Sequence, residues 1–123
     1  MILEIINETT EDGIPIVHLS GEIDLHTCSG FRDTLRDLVD NQHYNIVIDL
    51  AHVPYLDSAA LGVLVDALRR VREFDGAICL VGTTPFVRRA FEITRLVKIF
   101  SLYDTTEDAL ASIRQQATSA PAV

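Results

Sequence analysis

The chain of 123 residues has no tryptophan, one methionine, two cysteines and a single lysine. Each scarcity removes a class of function. The two cysteines, Cys28 in a polar stretch and Cys79 inside "AICLVG", stand far apart with no C-x-x-C spacing. That excludes a dithiol redox pair and a cysteine-built zinc site, and predicts two reduced thiols with Cys79 the buried one. Long hydrophobic runs are missing as well: nothing approaches the ~20 apolar residues of a membrane span. The opening "MILEIINETTEDG" carries acids where a secretory leader carries basic residues, so a cytoplasmic protein without a membrane partner is expected. Positive charge is scarce too, with 10 Lys and Arg against 18 Asp and Glu and a net charge of -8. Such a surface repels phosphate backbones, which argues against direct nucleic-acid binding. No glycine-rich phosphate loop is present: "GTTP" at residues 82 to 85 reads as a short strand-to-helix turn, and no cofactor is expected.

What is present is an ordinary globular composition, 48% hydrophobic and 23% charged, consistent with one compact domain. A chain of this length buries roughly two thirds of its unfolded surface, so it needs no disulfide or metal to fold. "ILEIINETT" and "IPIVHLSG" alternate around the turn signal "EDG" and predict a β-hairpin, with Pro15 at a strand start or on an edge. Phe31, Leu35, Leu38 and Val39 form one stripe of an amphipathic helix. "YNIVIDLAHV" is a continuous apolar run of central-strand type, stopped by Pro54. A second helix starts at Ser58, with Leu61, Leu64, Val65, Leu68 and Val71 on its inner face, and ends at "FDG". "AICLVG" is a further buried strand, and Thr84 with Pro85 marks the cap and first turn of a third helix whose inner face is Val87, Ala90 and Phe91. "KIFSLY" and "TTEDALASIRQQ" supply a last strand and helix. The order β-β-α-β-α-β-α-β-α predicts an α/β fold: a mixed sheet of about five strands with about four helices packed on it. The domain is expected to span residues 3–114, with 115–123 as a flexible tail.

The stretch that concentrates chemistry is "YLDSAALG", residues 55 to 62, where a strand gives way to a helix. A nucleophilic serine needs a base, an orienting acid and an oxyanion hole. Here the nearest histidine, His52, lies on the same strand-loop, and Asp57 is directly adjacent, so Ser58 reads poorly as a catalyst. His18, His26, Cys28 and His43 have no metal-ligand spacing, and Glu22 with Asp24 reads as loop and cap residues rather than a glycosidase pair. Asp57 or Ser58 suits the N-cap of the second helix, a role worth about 1 kcal/mol. A serine at a helix start is also a place where phosphate is tolerated, because the dipole and free N–H groups favour negative charge.

"IVHLSGEIDLHT", then "NIVIDLAHVPYLDSAALGVLV", then "AICLVG" and "VRRAFEITRLVKIFSLYDTTEDAL" together resemble the STAS domain, in particular the bacterial anti-sigma factor antagonists. The likeness runs from about residue 3 to 114. It implies a STAS-like fold and a binding protein rather than an enzyme, one that engages an anti-sigma factor with serine kinase activity and so releases a sigma factor. Phosphorylation of the serine after the aspartate, here Ser58, ends the complex until a serine phosphatase restores it. By the same resemblance the docking surface comprises Gly21, Glu22, Ile23 and Asp24 with Asp57, Ser58, Ala59, Ala60 and Gly62. Many relatives carry a second hydroxyl residue and a glycine where this chain has Ala59 and Ala60, which leaves Ser58 as the one local phosphoacceptor. The alternative use of the fold is as a cytosolic subunit of a lipid or anion transport complex that docks on an ATPase.

Overall fold

The computed structural model of the chain describes residues 2–119. Five strands form one sheet in the order β1-β2-β3-β4-β5: β1 (Glu4–Thr9), β2 (Pro15–Ser20), β3 (Asn45–His52), β4 (Ala77–Val81) and β5 (Ser101–Tyr103). Helices α1 (Cys28–Asp40), α2 (Ser58–Arg72), α3 (Pro85–Ile93) and α4 (Thr106–Ser119) alternate with them. The opening hairpin pairs antiparallel, with Pro15 at the first position of β2 opposite Thr9, and every later pairing is parallel. The expected mixed sheet and its helix complement are thus the observed ones.

Alternation along β3 explains its unbroken apolar run. Ile46, Ile48 and Leu50 face α1, α2 and α3, whereas Val47 faces α4 with Ile16, Cys79 and Val81, so both faces of the strand are buried. β1, an edge strand, keeps Glu4, Ile6 and Glu8 exposed.

Five details depart from the sequence pattern. Cys28 is buried, because it opens α1 on the same stripe as Phe31, Leu35 and Val39. Leu38 is only partly buried. On α2, Leu64, Leu68 and Val71 point inward as expected, but Leu61 and Val65 are half-exposed and Ala60, Val63 and Ala67 take the inner positions. Val63 and Ala67 share the core with Leu35 and Val39 of α1, and the four line a small groove between the two helices. Of "KIFSLY", only Ser101–Tyr103 pairs as a strand. Leu96–Lys98 forms a 3-10 turn, and Phe100 is buried edge-on to Phe91 with ring centroids 5.7 Å apart. α4 includes residues 115–119 of the segment expected as a tail, and residues 120–123 lie outside the described ones.

Candidate functional site

Parallel strands all finish at one end of a sheet, so the loops after β2, β3 and β4 are neighbours there. Past the end of regular pairing, the Gly21 N–H donates to the His52 carbonyl at 3.0 Å, the Ile23 N–H to the Tyr55 carbonyl at 3.1 Å, and the Asp57 N–H to the Ile23 carbonyl at 3.1 Å. These bonds hold "GEID" alongside "YLD" and bring the two halves of the expected surface together. Gly21 has φ +118°, and a Cβ there would lie 2.7 Å from the Ile2 carbonyl oxygen, so the turn into this loop requires glycine.

The ambiguity between Asp57 and Ser58 is resolved in favour of Asp57 as the cap. Its backbone is extended, and Oδ1 accepts from the N–H groups of Ala59 at 3.0 Å and Ala60 at 3.2 Å. The other oxygen, Oδ2, accepts from the Leu25 N–H at 3.1 Å. One carboxylate therefore starts α2 and also fastens the neighbouring loop to it, a double role that local sequence gives no sign of.

Asp24 performs the matching task ahead of α1. Its Oδ1 accepts from the N–H groups of His26 at 2.8 Å and Thr27 at 3.0 Å. The Thr27 hydroxyl accepts from the Asp24 N–H and donates to the Glu22 carbonyl, both at 2.9 Å. Burial pushes the Asp24 carboxyl upward, but the hydrogen bonds from Thr27 and His26 outweigh it and hold the group below the usual carboxylate range.

Ser58 occupies the first position of α2. It is exposed, and among the described residues its hydroxyl has no hydrogen-bond partner. Among the described residues no histidine is hydrogen-bonded to it, and the Asp57 carboxylate accepts from backbone N–H groups. Gly62 is exposed with open space where a Cβ would project, and Ala59 is half-buried. Ile23 and Ala60 differ from the expectation of a surface role: both are fully buried, because each belongs to the core under the loops.

His18, His26, Cys28 and His43 do not converge, and among the described residues no group of three His, Cys, Asp or Glu could hold a metal ion. His18 instead bridges strands: Nε2 lies 2.8 Å from Glu8 Oε1 and Nδ1 lies 2.8 Å from Asp49 Oδ2. The Glu8 contact, assisted by Asp49, raises its pKa against the opposing effect of burial.

Sequence reasoning missed the apolar part of the site. Leu25 and Tyr55 are exposed on the first two loops and Phe86 in the first turn of α3, and the Tyr55 and Phe86 rings are 5.6 Å apart. The Thr84 hydroxyl caps α3 and donates to the Val53 carbonyl at 3.2 Å, tying the third loop to the second. The available signal was positional: Phe86 falls one residue off the stripe that buries Val87 and Phe91.

The strand order, the helices on both faces of the sheet and this serine-bearing loop cluster define a single α/β domain. Residues 6–109 match the STAS domain model, and the chain belongs to the STAS domain family. It is 30% identical over 102 residues to the anti-sigma F factor antagonist of Paenibacillus polymyxa, covering 82% of this chain and 87% of that one. It is 29% identical over 102 residues to the anti-sigma-B factor antagonist of Staphylococcus aureus, covering 83% and 94% respectively. The crystal structure of an anti-sigma factor antagonist from Mycobacterium paratuberculosis superposes with a TM-score of 0.82 at 32% identity, covering 91% of this chain and 94% of the other. Among the described residues no helix is long and apolar enough to cross a membrane.

Proposed function

We propose that this chain is an anti-sigma factor antagonist, working by binding rather than catalysis. In its unphosphorylated form it docks on an anti-sigma factor with serine kinase activity, through the Gly21–Asp24 loop and the start of α2. Phosphorylation of Ser58 ends the complex, and a serine phosphatase renews it. The observation that carries this reading is Ser58 itself: exposed, unpartnered, at the first position of a 15-residue helix and beside the carboxylates of Asp57 and the "GEID" loop. The relatives' names as antagonists point the same way.

The chemistry is consistent with a switch that leaves the fold intact. A phosphate at a helix N-terminus meets a favourable dipole, so α2 tolerates the added charge of about -1.5 to -2. A docked partner does not. It would have to desolvate that phosphate next to Glu22, Asp24 and Asp57, an uncompensated buried charge that costs several kcal/mol.

The test is intact mass with peptide mapping on protein from its native cells, joined to calorimetric titration of purified anti-sigma factor. Expected are a phosphate localised to Ser58 that varies with growth condition, tight binding by wild type and Ser58→Ala, and binding lost in Ser58→Asp. Binding indifferent to Ser58→Asp would remove the switch.

A further inference from the structure

At the C-terminal end of the parallel strands the first two loops and the first turn of α3 each leave one large apolar side chain in water: Leu25 is 71% exposed, Tyr55 38% and Phe86 56%. A single exposed apolar residue is ordinary, but these three are held as a group. The Leu25 N–H is bonded to the Asp57 carboxylate, and Tyr55 accepts from Ile23 across the same pair of loops. Tyr55 meets Phe86 ring to ring, with the Thr84–Val53 bond fastening the cap of the helix that carries Phe86. Helix caps and loop-to-loop hydrogen bonds thus pre-organise the patch, which lowers the entropy cost of docking on it. The first two loops carry Glu22, Asp24 and Asp57, exposed Arg88 and Arg89 follow Phe86 on α3, and the chain as a whole carries a net charge of -8.

An aromatic and aliphatic centre inside a charged rim is the anatomy of an interface hot spot. We infer that Leu25, Tyr55 and Phe86 are the apolar anchors of the surface around Ser58, and that the occupant is an anti-sigma factor whose facing surface is apolar at its centre and basic where it meets the first two loops. This rests on the reading of function given above. A second copy of this chain fits badly, since it would set two bodies of net charge -8 against each other. The anchors also give the switch its force: a dry seal over them strips water from Ser58, and a phosphate there then loses its hydration without gaining a counter-charge.

The experiment titrates the purified kinase-type anti-sigma factors of the source cell, one at a time, into wild type and into Leu25→Ala, Tyr55→Ala and Phe86→Ala. Ile93→Ala, 68% exposed at the far end of α3, serves as control. Circular dichroism and melting check that each variant folds, and sedimentation velocity follows self-association. Expected is tight binding by wild type and Ile93→Ala, with losses of at least about tenfold in the three anchor variants. Wild-type binding that all three variants retain unchanged overturns the anchors and leaves the function reading standing. Failure of every anti-sigma factor to bind wild type overturns both. Self-association of wild type that Phe86→Ala abolishes makes the occupant a second copy and overturns the inference.

Discussion

The two ends of the sheet solve the same problem in opposite ways. At the N-terminal end of the parallel strands, side chains satisfy one another. Tyr44 and Phe74 stack with centroids 4.1 Å apart and planes 6° off parallel, and Arg114 of α4 donates to both oxygens of Asp12 in the hairpin turn at 2.8 and 2.9 Å. At the C-terminal end, the backbone satisfies the carboxylates. Asp24 and Asp57 accept only from N–H groups and the Thr27 hydroxyl, and this leaves the Ser58 hydroxyl without a partner among the described residues and the side chains of Leu25, Tyr55 and Phe86 exposed. An end closed by its own side chains stabilises the fold. An end closed by its backbone keeps side chains available for another molecule.

The sharpest way to break that contrast is at Gly76. A Cβ there would fall 1.9 Å from the Tyr44 carbonyl oxygen, which itself accepts the Ala77 N–H at 2.9 Å. Gly76→Ala is expected to cost about 3 kcal/mol or more in urea unfolding, since backbone rather than a flexible side chain must move. Below its transition the variant should keep the Ser58 surface and its binding.

A smaller effect is expected at the other end. Asp57→Ala removes the α2 cap, at about 1–2 kcal/mol, and also frees the Leu25 N–H, which should exchange with solvent faster in amide hydrogen exchange. Ser58→Ala should stay within about 0.5 kcal/mol of wild type. If instead Ser58→Ala destabilised the fold as much as Asp57→Ala, the separation of the structural aspartate from the serine proposed as the switch would fail.

The smallest effect concerns acid. Asp12 is held well below the usual carboxylate range, first by Arg114 and then by the Thr10 hydroxyl. Asp24 is held low by backbone donors that overcome its burial. Both pKa values are depressed in the folded state, so each contributes stability that is present above the unfolded value and lost as pH falls through the folded one. The two should differ in salt. Carboxyl NMR titration at high ionic strength is expected to move Asp12 toward its ordinary value, because the exposed pair with Arg114 is screened, and to leave Asp24 nearly in place. Equal movement of both would erase the distinction between the ends.

Periodicity by itself determined the order of elements, the hairpin, the doubly buried β3 and the caps at Thr84 and at the start of α2. These depend on nearest neighbours along the chain, where period 2, period 3.6, proline and short polar side chains act directly. The position of Ser58 at a helix start was equally local. Tertiary contact alone decided the rest. Whether Leu61 and Val65 or Val63 and Ala67 faced inward depended on where α1 lay, and Cys28 went inside because its turn of α1 closed over the core. Asp57 rather than Ser58 became the cap, and its second oxygen found a loop 32 residues away. Tyr55 and Phe86, far apart in sequence, came ring to ring only because parallel strands deliver their loops to one end. A pattern along the chain encodes which side chains want to be dry; which neighbours they meet is set by how whole elements pack.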